Sequence, residues 1–215
     1  MDSNFLFDSK NPKYSATKNI IETASKAFFT YGIKSITMDE IASSAGISKR
    51  TLYQLFKDKE ELLLGTIINS QIEMSRFTEE LLKETDNVLE IILRTYKYIV
   101  RQYQGTDKRF FEDLARYPEA YKILAQGQQR DTSKNVAFFK KGVSQGIFRE
   151  DINYELFCEL MREQFQVFIN SSIFSRYSFL EVHKNLIFIH LRGISTEKGT
   201  QELENFIKEN KNETF

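Results

Sequence analysis

The chain has 215 residues, of which 41% are hydrophobic and 28% are charged, with 9 Gly, 2 Pro, 1 Cys and no Trp. This composition is typical of a globular protein with a sizeable core and excludes a disordered chain. The scarcity of turn residues argues against an all-β sandwich or barrel, and a single cysteine excludes an internal disulfide framework.

The first residues, MDSNFLFDSKNP, contain two aspartates and no long apolar run. We therefore expect no secretory signal in this segment. No stretch of the chain approaches the roughly 18 uncharged apolar residues of a membrane-spanning helix. The sequence accordingly predicts a cytoplasmic protein without a membrane span.

The net charge is zero, but the charges are unevenly distributed along the chain. The segment 10–57 contains eight basic and three acidic residues, a net charge of +5, and the remainder carries −5. A basic N-terminal part on an acidic body suggests contact with a polyanion. Ordinary variation in surface charge explains the same asymmetry equally well, so charge alone does not decide between these two explanations.

The N-terminal part has the pattern of short helices. Apolar residues recur at helical spacing over 15–31, and Gly32 is a suitable stop. Thr37 and Glu40 have the spacing of a capping box, in which the threonine hydroxyl and the glutamate carboxylate each accept a backbone N–H. This pair predicts that a second helix begins at residue 38 and runs to residue 44.

A third short helix and a long fourth helix follow directly. Ser48 is a suitable N-cap for a helix over 49–56. Asp58 and Glu61 form a second capping-box pattern, which opens a long helix over 59–84. Three short helices, two of them joined by a tight turn, are typical of a helix-turn-helix whose last helix enters the DNA major groove.

The rest of the chain also has helical periodicity. Apolar residues at helical spacing predict helices over 87–104, 107–117, 128–145, 153–174, 178–192 and 200–208. We therefore predict an all-α protein of about nine helices or more. The predicted architecture is a three-helix helix-turn-helix domain joined by a long helix to a C-terminal helical bundle.

The stretch TMDEIASSAGISKRTLYQLFKDKEELL, residues 37–63, resembles the TetR/AcrR family of bacterial transcriptional repressors. Leu55 departs from the family pattern, which often has histidine or an aromatic residue there. We expect Leu55 to offer an apolar contact to a thymine methyl instead. The resemblance implies a DNA-binding domain over 10–58 and an effector-binding and dimerisation domain over 59–215. It also implies a homodimer on a palindromic DNA operator.

The resemblance also implies roles for individual residues. Thr37, Tyr53 and Lys59 match positions that contact DNA phosphates, and the outer face of the third helix is expected to meet the bases. There Arg50 could pair with guanine and Gln54 with adenine. The candidate DNA-binding residues are Thr37, Ser48, Lys49, Arg50, Thr51, Tyr53, Gln54 and Lys59.

The C-terminal part supplies candidates for a small-molecule pocket and for a dimer interface. Aromatic residues are frequent in the central helices, and with few charges nearby they favour an apolar or aromatic effector. The candidate pocket residues are Tyr96, Tyr103, Phe110, Phe139 and Phe165. The helices predicted over 153–174 and 178–192 have wide apolar stripes, which predict a four-helix dimer interface. Its candidate residues are Phe168, Val182, Leu186 and Ile189.

Other functional classes find little support in the sequence. His183 and His190 lie seven positions apart without an acidic or cysteine partner, so we expect a packed or interfacial role and no metal. No catalytic motif, no phosphate-binding loop and no cofactor site is recognised. The sequence favours a ligand-responsive transcriptional regulator, acting as a repressor, over the alternative. That alternative is a helical enzyme or small-molecule-binding protein whose helix-turn-helix is structural.

Overall fold

A computed structural model of the protein describes residues 14–114, 116–120, 123 and 132–210. Within these residues the regular secondary structure is helical, apart from one isolated antiparallel bridge between Phe148 and Ser195. The helices are α1 (Tyr14–Tyr31), α2 (Met38–Ser44), α3 (Lys49–Leu55), α4 (Lys59–Glu84), α5 (Val88–Tyr103), α6 (Lys108–Leu114), α7 (Thr132–Ser144), α8 (Tyr154–Asn170), α9 (Phe179–Ile194) and α10 (Glu197–Glu209). The predicted all-α fold class is confirmed.

The boundaries of the N-terminal helices agree with the prediction to within a residue, and several later helices differ from it. The helix predicted over 107–117 ends at Leu114, and the helix predicted over 178–192 continues to Ile194. The helix predicted over 153–174 ends at Asn170, and a separate 3₁₀ turn, Ser172–Ser175, follows. The Ser171 hydroxyl accepts from the Ile173 backbone N–H (3.2 Å), and such a cap begins a new turn. The last helix begins earlier than predicted because the Thr196 hydroxyl accepts from the Gly199 backbone N–H (3.1 Å).

The described residues form two compact units. The first unit holds the described parts of Met1–Arg76 and Gly105–Gly127, and the second those of Phe77–Gln104 and Gln128–Phe215. This division by packing differs from the predicted functional division at residue 58, which concerns DNA and effector binding and stays a prediction. None of the helices in the described ranges has both the length and the apolar character needed to cross a membrane.

The core of the first unit joins the short helices to α4 and α6. Apolar side chains of α1 and α2 meet those of α3 because the periodicity of each helix places its apolar residues on one face. The fully buried members include Ile20, Ala24, Phe28, Ile33, Ile41, Leu52, Phe56, Leu62 and Leu63, and Phe110 and Leu114 of α6 join the same cluster. Helix α6 therefore packs with the helix-turn-helix.

The core of the second unit contains a close approach at Gly142. A Cβ at Gly142 would lie 2.3 Å from Phe148 Cδ2, so only glycine lets this ring pack against α7. The backbone N–H of Arg149 donates to the Ile194 carbonyl (2.8 Å), and that of Thr196 donates to the Ile147 carbonyl (3.0 Å). The buried members include Val88, Leu89, Leu93, Tyr96, Val136, Ile147, Phe148, Phe188, Leu191 and Leu203.

Candidate nucleic-acid interface

The N-terminus of α2 is fixed by the predicted capping box. The Glu40 backbone N–H donates to Thr37 Oγ1 (3.2 Å), and the Thr37 backbone N–H donates to Glu40 Oε2 (2.7 Å). These hydrogen bonds with Thr37 lower the pKa of Glu40. Both groups of Thr37 that were predicted to bind phosphate, the hydroxyl and the N–H, therefore contact Glu40 in this structure.

The turn between α2 and α3 is closed by backbone hydrogen bonds and a glycine. The Ala45 N–H donates to the Ile41 carbonyl (2.9 Å), and the Ile47 N–H reaches back to the Ala42 carbonyl (3.0 Å). Gly46 has a φ of +68°, in the left-handed region that favours glycine. This turn gives α3 its own direction, so that α3 does not simply continue α2.

Helix α3 has a buried face and an exposed face. Ser48 caps it as predicted, because its hydroxyl accepts from the Thr51 backbone N–H (3.1 Å). Leu52 and Leu55 face the core and are buried. The predicted DNA-binding residues are on the other side: Ser48, Lys49, Arg50, Tyr53 and Gln54 are exposed, and Thr51 is half-buried.

The prediction for Leu55 is wrong. The Leu55 side chain is buried in the core of the first unit and is not available to a thymine methyl. It follows Leu52 by three positions, and such residues share one face of a helix. The apolar side chain that replaces the family's polar or aromatic residue therefore packs inward.

The exposed side chains of α3 differ in how they are engaged. Lys49 forms an ion pair with Asp39 of α2, and both groups are well exposed, so this pair contributes little to stability. For Arg50, Tyr53 and Gln54, no side-chain hydrogen bond or ion pair is found among the described residues. These three side chains are therefore available to a ligand in solution. The exposed ring of Tyr53, at 51% exposure, is not needed by the core.

Lys59 makes intramolecular hydrogen bonds, and its contact with a DNA phosphate stays a prediction. Its ammonium donates to the carbonyls of Ile33 and Ile36, each at 3.0 Å. Partial burial lowers the pKa of Lys59, and nearby Asp113 opposes that shift. Two of its three N–H donors thus hold the segment between α1 and α2, which leaves one for a DNA phosphate.

The predicted effector residues are distributed over two cores. Tyr96 and Phe139 belong to the core of the second unit, where Phe139 stacks on Tyr154 with ring centroids 5.7 Å apart. Phe110 lies in the core of the first unit, against Phe29 at 4.8 Å. The Tyr103 ring packs on Phe179 at 4.9 Å. The side chain of Phe165 lies outside the described residues.

His183 lies within the aromatic cluster of the second unit, in a packed role as the sequence suggested. Its ring stacks on Tyr96 at 5.5 Å and on Phe179 at 5.6 Å. Its Nε2 is buried and has no hydrogen-bond partner among the described residues. Burial lowers the pKa of His183 to about 4, so the imidazole is neutral at pH 7. The four-residue spacing from Phe179 is visible in the sequence, whereas the contact with Tyr96 is not.

A groove of about 270 Å³ lies along α9. The predicted dimer residues Val182, Leu186 and Ile189 line it, together with Ile173 and Tyr177. Ile189 is 65% exposed, and α8 adds the exposed side chains of Leu156, Leu160 and Val167. The side chain of Phe168 lies outside the described residues. Exposed apolar patches of this kind mark interaction surfaces.

Similar proteins share this architecture. Residues 20–66 match the family model described as "Bacterial regulatory proteins, tetR family". Residues 20–66 are those of a TetR-family regulator. The matched residues contain α2, α3 and the turn between them, so the match covers the helix-turn-helix described above.

Relatives of this TetR-family protein match over longer stretches. The uncharacterised HTH-type transcriptional regulator YhgD of Bacillus subtilis is 29% identical over 133 residues, 60% of this chain and 68% of that protein. The HTH-type transcriptional repressor KstR2 of Mycolicibacterium smegmatis is 23% identical over 167 residues, 73% of this chain and 78% of that protein. The solved structure of the ketosteroid transcriptional regulator KstR2 of Mycobacterium tuberculosis has a TM-score of 0.52 and 21% identity. The structural alignment covers 84% of this chain and 95% of the KstR2 chain.

Family membership identifies the chain as a DNA-binding transcriptional regulator and not an enzyme. Among the described residues, no group of three or more His, Cys, Asp or Glu side chains is placed to hold a metal ion.

Proposed function

We propose that this protein is a transcriptional repressor that binds a palindromic operator as a homodimer and is released by an apolar or aromatic small molecule. DNA binding is supported chiefly by the buried and exposed faces of α3. One face anchors it in the core, and the opposite face presents Arg50, Tyr53 and Gln54 to solvent. Operator binding places the protein in the cytoplasm, where bacterial DNA lies.

Each exposed residue has a distinct proposed role. Arg50 reads guanine and Gln54 reads adenine, because each side chain can make two hydrogen bonds to one base edge in the major groove. Tyr53 donates to a phosphate, and phosphate contacts position a protein without reading sequence. Thr37 contacts phosphate after its hydroxyl exchanges Glu40 for the DNA backbone, and Lys59 uses its remaining N–H donor.

The proposed dimer uses the exposed apolar faces of α8 and α9. Two copies related by a two-fold axis would bury Ile189 and the groove beside it in a four-helix interface. A two-fold dimer presents two copies of α3 and therefore matches an operator with two-fold symmetry. This matching of symmetries is why we propose a palindrome.

The proposed effector is apolar or aromatic because the second unit is rich in rings. Tyr96, Phe139 and Phe179 lie in its aromatic clusters, and small-molecule sites are mostly apolar with few polar groups. One of the similar structures is named a ketosteroid transcriptional regulator, in keeping with this class of effector. Thermal-shift screening of hydrophobic and aromatic compounds, followed by operator release with each stabilising compound, tests this part.

Selection from a random-sequence DNA duplex pool tests the DNA-reading assignments. Arg50→Ala and Gln54→Ala should each change the preferred base, at about 1–3 kcal/mol per lost contact. Tyr53→Phe should weaken binding to all selected duplexes alike. Lys26→Ala, which removes an exposed positive charge from α1, is the matched control for Arg50→Ala. An unchanged preferred sequence for both α3 alanine variants would overturn the base-reading roles.

A further inference from the structure

The segment between α1 and α2, residues 32–36, determines where α2 begins. Gly32 ends α1 with a φ of +83°, and its N–H donates to the Phe28 carbonyl (2.9 Å). The next four residues lead directly to Thr37, the cap of α2. Whatever holds this segment therefore holds the N-terminus of the first helix of the helix-turn-helix.

A carboxylate from α6 holds this segment on a backbone N–H. Asp113 Oδ2 accepts from the Lys34 backbone N–H at 2.8 Å, although the two residues are 79 positions apart. The Asp113 side chain is buried, at 8% exposure. A buried carboxylate requires such a partner, because an unpaired buried charge is costly. Lys59 holds two carbonyls of the same segment from α4.

Helix α6 is placed against α1 by further contacts. The Asp107 backbone N–H, just before α6, donates to the Phe29 carbonyl at the end of α1 (2.8 Å). A Cβ at Gly32 would lie 2.9 Å from Arg109 Cβ, so the glycine permits an approach that other residues would block. Phe110 packs edge-on to Phe29 at 4.8 Å. These contacts give the Asp113 carboxylate one defined position.

We infer that Asp113 is a positioning residue for DNA binding, which acts through the Lys34 N–H on the start of α2 and does not touch DNA itself. Apolar packing alone would stabilise the unit without fixing the segment at one atom. The hydrogen bond fixes Lys34, three residues before the cap Thr37, and so fixes the phosphate-facing end of α2. This inference rests on the proposed function, since it assigns α6 a part in operator binding.

The test compares Asp113→Ala with Asp113→Asn in the full chain, with Glu112→Gln as the control on the same helix. The probe is the duplex that the wild-type protein selects from the random pool. Loss of a hydrogen bond to a charged group should weaken binding of Asp113→Ala about tenfold. Asparagine keeps a side-chain oxygen that can accept from Lys34, so Asp113→Asn should bind close to the wild type, and so should Glu112→Gln.

A second measurement follows the Lys34 amide itself. Its ¹H–¹⁵N NMR signal should move in Asp113→Ala and stay near its wild-type position in Asp113→Asn. A folded Asp113→Ala with wild-type affinity, or an asparagine variant as weak as the alanine variant, would overturn the inference. A wild-type protein that selects no duplex would instead refute the proposed function, and the positioning role with it. The two failures are therefore distinguishable.

Discussion

A shift from about pH 7.5 to about pH 5 should lower the free energy of unfolding by about 2 kcal/mol through His183 alone. The ring is enclosed by Tyr96 and Phe179, and burial lowers its pKa to about 4 from the ordinary value of 6.5. Between these two values the unfolded chain binds a proton that the folded chain rejects. The stabilisation by neutral His183 is therefore complete above pH 6.5 and is lost as the pH falls towards 4.

Urea unfolding of the wild type and His183→Gln across this pH range measures the effect. Carboxylates with ordinary pKa values near 4 bind few protons above pH 5, so the histidine contributes most of the change. The free energy of unfolding of His183→Gln should therefore vary much less with pH. His190→Gln, which leaves the buried His183 ring in place, is the matched control and should show a clearly stronger pH dependence than His183→Gln. Equal pH dependence in His183→Gln and the wild type would refute the reasoning.

Four further variants test the packing and the proposed surfaces. Gly142→Ala should lower the free energy of unfolding by about 1–3 kcal/mol because its methyl group would overlap Phe148. Gly193→Ala, with open space at its Cβ, should raise the free energy of unfolding by up to about 1 kcal/mol. Denaturant titrations in which Gly142→Ala is the more stable of the two variants would contradict this expectation. Lys59→Met should lower both the melting temperature and DNA affinity, since two carbonyls lose their donor. An unchanged melting temperature would show that the hydrogen bonds from Lys59 to the Ile33 and Ile36 carbonyls do not stabilise the fold. Ile189→Glu should convert the dimer into monomers in sedimentation experiments and weaken operator binding. A dimer that persists would place the interface elsewhere.

The helix-turn-helix was predictable because its signals are local. Thr37 and Glu40 are three positions apart, and the cap they form in the structure is the one their spacing indicated. The same holds for Ser48 and Thr51 at the start of α3. Caps and turns are determined by a few neighbouring residues, so their patterns are visible without the fold. The bounds of α2, α3 and α4 follow directly from them.

Contacts between distant segments were not predictable in this way. Asp113 lies on a short helix that was assigned by periodicity alone, and nothing near it in sequence indicates that its partner is Lys34. Leu55 was expected to face DNA by analogy of position, but an apolar side chain three residues after Leu52 is better accommodated in the core. Phe110 packs in the core of the first unit. Helical spacing shows that this side chain is on an apolar face, but only tertiary packing determines which core it enters.

Hydroxyl-radical footprinting of the wild-type protein on its selected duplex tests the central claim, that two copies of α3 read DNA in the major groove. The account predicts two protected patches, related by two-fold symmetry, with centres about one helical turn or 34 Å apart, or somewhat more if the DNA adapts. Arg50→Ala should reduce both patches equally. A single asymmetric patch, or protection that survives in Arg50→Ala with unchanged base preference, would contradict the account.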